Sequence, residues 1–265
     1  MASASYVGSD NLVLTAALSA NSSAAGLGPT RLAEDQGSPD AAWQTAAGVV
    51  TVAGGALMRA DFALSGSTLQ GFAITRTNLT PAAAVTFTVW DTSGPTLVYS
   101  SGALPGPVPR YGQVIHVAPA PVTGDFVQVT IDDPTNADGF LNVPLAYFGG
   151  LWNPAVGFSW ESSHSRESLS ARRRTAGGQL FSDLRYRARV FDLRLSGVTA
   201  AEWPTLDALD HDARADRNIL VIPDAVFGNI QTTAVFGTLT PTAAVTYPYQ
   251  AADARAWAAR SEERL

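Results

Sequence analysis

Along several short runs in the first half of this chain, apolar side chains recur at every second position, and Gly, Pro and Asx residues separate the runs. Val85, Phe87 and Val89 alternate with Thr86, Thr88 and Trp90, and residues 91–95 (Asp-Thr-Ser-Gly-Pro) supply a turn before Leu97-Val98-Tyr99 resumes the pattern. Successive side chains of a strand point to opposite faces, so this period predicts strands with one buried face, whereas a helix would bury every third or fourth residue. Val127, Val129 and Ile131 repeat the alternation, and Phe72, Ile74 and the stretch 114–117 add further strands. Short strands at this spacing read as a jelly roll or related sandwich. The Pro-rich stretches 104–109 and 118–121 deter helix there.

A length of 265 residues suits two ordinary domains. The expected class is mainly β: a sandwich over residues 1–148, then a smaller α+β domain over 149–265 with one main helix. The boundary falls at Gly149-Gly150, after which a Ser-, Gly- and Arg-rich stretch, 152–178, reads as a long loop or arm. Strands are expected at 186–195, 219–222, 232–239 and 243–247, and a helix at 200–215. Thr199 followed by Glu202 gives the capping-box spacing, Trp203, Leu206, Leu209 and Ala213 recur at helical intervals, and Pro204 sits in the first turns where it is tolerated.

Every one of the 17 basic residues is arginine, and the net charge is −6. Residues 1–150 hold only Arg31, Arg59, Arg76 and Arg110 against ten acids, while the second half is balanced. Tracking a phosphate backbone needs a clustered positive field, so nucleic acid is not an expected partner. Cysteine is absent, which removes disulfides, thiolate nucleophiles and cysteine-ligated metals. The apolar run 12–20 is preceded by Asp10 and by no basic residue, which argues against a secretory signal, and no run approaches the ~20 residues of a membrane span, so no membrane insertion is expected.

The search for chemistry finds no reactive constellation, and no enzyme, cofactor or metal site is expected. His116 sits in an alternating strand, and His164 lies in a Ser-rich loop without a nucleophile elbow. His211 and Asp207 stand four apart on the helix, where a solvated face explains them without a metal. Residues 132–139 (Asp-Asp-Pro-Thr-Asn-Ala-Asp-Gly) resemble a calcium loop, yet aligning Asn136, Asp138 and Gly139 puts Pro134 and Leu145 where carboxylates are required. A structural cation held otherwise and a turn rich in Asx residues remain the two readings. Trp43, Trp90, Tyr99 and Tyr111 are candidate glycan contacts or core. Arg166, Arg172, Arg173, Arg174, Arg185, Arg187 and Arg189, with Arg194, outnumber nearby Glu167, Asp183 and Asp192, giving a solvated charge or an assembly interface with an acidic neighbour.

The run Phe148-Gly-Gly-Leu-Trp152-Asn-Pro, then Gly157-Phe-Ser-Trp160, Thr175-Ala-Gly-Gly178, Arg185-Tyr-Arg187-Ala-Arg189 and a Thr-x-x-Glu-Trp helix resembles tail-tip (distal-tail or minor tail) proteins of long-tailed phages and gene transfer agents. The similarity spans most of 145–250, and the first half looks like a galactose-binding-like sandwich. The resemblance implies a structural component of the virion tail, a ring or hub-associated layer at the distal end of the tail tube. Its partners would be copies of itself, other tail-tip, tail-tube or hub proteins, and host surface glycans. It also implies a strand at 251–263, against that segment's helical composition. In such proteins the ring-forming domain usually precedes the accessory sandwich, and here the order is reversed. The alternatives from other classes are a carbohydrate-binding receptor-recognition protein and an enzyme that trims surface polysaccharide.

Overall fold

A computed structural model describes residues 5–35, 37–92, 96–158, 162–174, 177–214, 217–225, 230–241 and 253–263. The first half contains β1 (Tyr6–Gly8), β2 (Ala17–Ala20), β3 (Trp43–Gln44), β4 (Leu57–Asp61), β5 (Ser67–Thr75), β6 (Ala84–Asp91), β7 (Thr96–Ser100) and β8 (Leu104–Pro105). It continues with β9 (Val114–Gly124), β10 (Phe126–Asp132), β11 (Asn142–Val143) and β12 (Leu145–Gly149). The second half contains β13 (Ser163–Arg174), β14 (Leu180–Val198), α1 (Trp203–Arg214), β15 (Asn218–Ile222), α2 (Ile230–Thr233), β16 (Val235–Pro241) and β17 (Asp253–Glu263). The protein is mainly β, with an N-terminal sandwich and one main helix, as the alternation predicts.

The sandwich faces a sheet of order β2-β4-β10-β6-β7, to which β8 adds at β6, against the three-stranded sheet β12-β5-β9. Val85, Phe87 and Val89 of β6 and Val127, Val129 and Ile131 of β10 point inward and are fully buried against Phe72, Ile74, Val114 and Phe148. At about 1.5–3 kcal/mol per fully buried large side chain, this cluster is the main source of the sandwich's stability. Pro119 and Pro121 lie in β9, an edge strand whose register with β5 shifts between Leu69 and Gly71, so the ladder loses little by their missing N–H groups.

The second sheet runs β1-β15-β16-β17-β14-β13, entirely antiparallel. Its first strand comes from the chain's N-terminus: Tyr6, Val7 and Gly8 pair with Ile222, Val221 and Leu220. The sandwich and the α+β part therefore share a strand across the expected division. Both faces of this sheet are covered. Val7, Ile219, Val221, Val235 and Leu239 pack with Leu206 and Leu209 of α1. Leu220, Ile222, Ala234 and Phe236 pack against Ala73, Ile115, Leu145 and Tyr147 on the outer face of β12-β5-β9. The result is three stacked sheets with a helix on the last. It explains why 145–149 and 218–222 are buried at every residue. Gly149 reflects the same crowding, because an added Cβ would strike the Asp10 carbonyl and the Tyr147 hydroxyl.

Polar groups seal the joint between the layers. The Gln231 side-chain amide accepts from the Ile115 N–H (2.7 Å) and donates to the Ile115 carbonyl (2.7 Å), acting as one residue of an extra strand beside β9. Asn218 donates its backbone N–H and side-chain amide to the Asp35 carboxylate. Burial raises that carboxyl above its ordinary value, while the Asn218 bonds oppose the rise.

Four expectations are corrected. The stretch 152–178 is not one continuous loop, since β13 occupies 163–174 and pairs with β14. The strand expected at 186–195 runs the whole length of β14, 180–198. The helix begins at Trp203, because Glu202 Oε2 accepts from both the Thr199 N–H and its hydroxyl and holds 199–202 as a turn ahead of it. The stretch 232–239 opens as α2, one turn ending at Thr233, before β16 starts at Val235. The segment 253–263 is strand β17, and the expected strand at 243–247 lies outside the described residues.

Candidate functional site

Two surfaces collect the residues singled out from the sequence. The first is the hairpin of β13 and β14. Among the described residues β14 pairs with β17 from Arg187 onward, while 180–186 pair with β13, a two-stranded stretch (the ribbon) about 23 Å long. Arg173 and Arg174 are exposed near its end, and Phe181 opposite Arg173 is 58 % exposed. The backbones of Arg172, Arg185 and Arg187 belong to the same two strands. The Ser- and Arg-rich composition that reads as a loop belongs to a strand whose residues 163–167, 173 and 174 are exposed.

Arg189 differs from the other arginines and is corrected as an assembly contact. It is 2 % exposed, and its guanidinium donates to the Thr232 carbonyl (3.0 Å) and to Gln113 Oε1 (2.9 Å) while lying 4.3 Å from the Tyr111 ring centroid. Gln113 in turn donates to the Gln231 and Ala234 carbonyls. A buried guanidinium needs several oriented acceptors, and those present belong to this chain, so Arg189 is an internal strut. Arg166 donates to the Tyr111 hydroxyl at 2.8 Å. Tyr111 is therefore gripped on its face and at its tip by the root of the ribbon, an arrangement that ties the ribbon to the sandwich rather than leaving the ring open to a sugar.

The second surface is the outer face of the sandwich. Trp90 takes the outward parity of Thr86 and Thr88 and is half-buried; its indole N–H donates to Thr88 Oγ1 at 3.0 Å. It lies parallel to Phe126 within 4°, with centroids 6.1 Å apart, and Arg59 sits 3.6 Å over the Phe126 ring. Arg59 is also forked onto Asp61 through Nε and Nη2. Register explains the grouping, since Phe126 stands opposite both Asp61 and Trp90, and Trp90 opposite Leu97. Sequence reasoning missed Arg59, Asp61 and Phe126; the signal was the Arg-x-Asp spacing, which puts both side chains on one face of a strand.

The other candidates are placed elsewhere. Trp43 is 1 % exposed, with its indole N–H on the Ser22 carbonyl (2.9 Å), and is core, which corrects it as a glycan contact. Tyr99 points inward, stacks on Phe72, and its hydroxyl lies 2.7 Å from His116 Nε2. Burial lowers the His116 pKa and raises that of Tyr99, so the pair is neutral near pH 7. His164 is exposed and tilts against Phe191, and His211 is exposed on α1. In the Asx-rich turn, the fully buried Asp133 carboxylate accepts from the Thr80 N–H and hydroxyl and from Asn136 Nδ2, so protein donors occupy it. Among the described residues no group of three or more His, Cys, Asp or Glu is arranged to hold a metal ion. At the sandwich rim, Asp125 accepts from Ser65, Gly66 and Thr92, with the Thr92 bonds foremost in holding its carboxyl far below the ordinary range.

No family model matches the chain, and no curated protein matches it. Solved structures similar to part of it include chitosan-binding module 1 from a chitosanase/glucanase of Paenibacillus sp. IK-5, at 22 % identity over 53 % of this chain and 98 % of that one, TM-score 0.39. The family 32 carbohydrate-binding module of C. perfringens NanJ, in complex with galactose, matches at 12 % identity over 54 % of this chain and 98 % of that one, TM-score 0.40. The lectin-binding domain of Lectinolysin, complexed with Lewis b, matches at 11 % identity over 53 % and 96 %, TM-score 0.42.

Proposed function

We propose that the chain is a non-catalytic structural component of a phage-type tail tip, docking through its ribbon to copies of itself or to neighbouring tail proteins and carrying the sandwich outward. The observation that supports this reading is the ribbon itself. An isolated two-stranded hairpin is marginally stable in water, so a projecting one with exposed arginines and an exposed Phe181 is suited to being covered by a partner. β13 is an edge strand along its whole length, which offers main-chain donors and acceptors for strand addition, and arginine suits forked pairing with carboxylates. The test replaces residues 171–183 by an Asn-Gly turn, keeping the ribbon's root. The shortened chain is expected to fold and to be lost from purified particles. Its normal incorporation would overturn the reading.

A second reading, glycan recognition by the sandwich, is favoured by one specific observation: a half-buried Trp90 set beside a forked Arg59–Asp61 pair on an outward sheet face. A glycan array with the intact chain tests it, and an array without hits removes it.

A further inference from the structure

The geometry points to a neutral-sugar site on the outer face of β4, β10, β6 and β7, centred on Trp90. This inference rests on the glycan reading above and gives it a location and a ligand class. The row Asp61, Phe126, Trp90, Leu97 crosses four neighbouring strands and so spans about 14 Å. Arg59 and Asp61 are each about one-third exposed, and Leu97 and Val98 are 49 % and 45 % exposed. The row thus runs from an ion pair at one end, over a flat indole, to an apolar margin at the other.

A pyranose ring has the complementary chemistry, with C–H groups on a face and hydroxyls at the rim. Its C–H face can lie on Trp90 while its hydroxyls donate to Asp61 and accept from Arg59. These partners are already fixed. The Trp90 indole N–H is held by Thr88, and the guanidinium is held by Asp61 and by the Phe126 ring beneath it, so little side-chain freedom is lost on binding. Gln128, outward on β10 between Arg59 and Thr88, adds a further donor and acceptor in the adjacent row.

Charge selects the class. The Arg59–Asp61 pair is neutral as a unit, and residues 1–150 carry four arginines against ten acids, a field that repels carboxylated or sulfated glycans. An uncharged hexose or N-acetylhexosamine chain fits better than an anionic one.

The test titrates the full-length chain with lactose, maltotriose and N,N′-diacetylchitobiose, and with sialyllactose as the anionic counterpart, following the Trp90 indole N–H resonance, assigned through Trp90→Phe, in the native chain and calorimetric affinity in every variant. At least one neutral sugar is expected to shift the Trp90 resonance. Trp90→Ala should weaken that sugar about tenfold or more, Asp61→Asn less, and Trp90→Phe, which keeps a flat ring, least. Circular dichroism of each variant separates loss of binding from loss of fold. Binding that survives Trp90→Ala would overturn this site while leaving the glycan reading in place. A preference for sialyllactose would overturn the ligand class, and no binding by any of the sugars would overturn site and reading together, leaving the ribbon's role untouched.

Discussion

Replacing Arg189 by Met is the sharpest probe of how the ribbon is held. Methionine keeps most of the apolar stem and removes the guanidinium, so the Thr232 carbonyl and Gln113 Oε1 lose donors at 3.0 and 2.9 Å, and the Tyr111 ring loses its cation. Leaving the buried Gln113 Oε1 without this donor costs about 1–3 kcal/mol, and a desolvated cation–π contact contributes about 2 kcal/mol. Burying a charge is itself costly, and its removal returns part of the loss. The net expectation is a destabilisation of about 2–4 kcal/mol, read from urea unfolding with the slope unchanged. A cycle with Gln113→Leu sharpens the test. Once Gln113 is apolar, one acceptor has gone, so the second substitution should cost at least about 1 kcal/mol less than it does alone. A loss below about 1 kcal/mol for Arg189→Met, or strict additivity in the cycle, would refute the view of Arg189 as an internal strut.

Two further predictions concern the joint and the sandwich edge. Gln231→Leu strips the Ile115 N–H and carbonyl of their amide partner and is expected to cost about 2–4 kcal/mol and to speed hydrogen exchange at Ile115; unchanged exchange there would refute the strand-mimic role. Burial depresses the His116 pKa below its ordinary 6.5, so the folded chain binds fewer protons than the unfolded one in the window between the depressed value and 6.5. Stability is therefore complete above 6.5 and falls as the pH drops through that window. His116→Gln, which keeps a polar partner for Tyr99 and does not titrate, should flatten the fall, as measured by urea midpoints across the acid range.

The features legible in the sequence are those with a one-dimensional signature. Parity puts Val85, Phe87 and Val89 on one face and Trp90 on the other, and the structure makes the first face core, while the choice of core or surface for Trp90 is left open by the sequence. β13 was illegible for the opposite reason: 163–174 shows no apolar alternation and reads as loop by composition. The stacking of 145–149 on 218–222 was also hidden. Uninterrupted apolar runs announce burial on both faces without naming what covers them, and β1, only three residues long, gives no hint that it crosses to the second sheet. Arg189 is one of three arginines at alternate positions, and nothing in that run separates the one that meets Gln113 and Tyr111 from its neighbours. Residue type likewise could not separate Trp43 from Trp90; their strands' surroundings did.

The shared middle sheet has a mechanical consequence for the ribbon. Ile115, Leu145, Tyr147, Leu220, Ile222 and Phe236 are each at most 1 % exposed between the layers. Exposing even three of them would cost about 5–9 kcal/mol, comparable with the stability of an ordinary domain. The sandwich therefore does not swing on the second sheet, and the Arg166–Tyr111–Arg189 grip extends that rigidity to the base of the hairpin. Among the described residues the distal stretch 180–186 of β14 has β13 as its one neighbouring strand. If the ribbon docks and the sandwich binds glycan as proposed, the fixed root would hold the two surfaces at a constant separation and orientation in every copy.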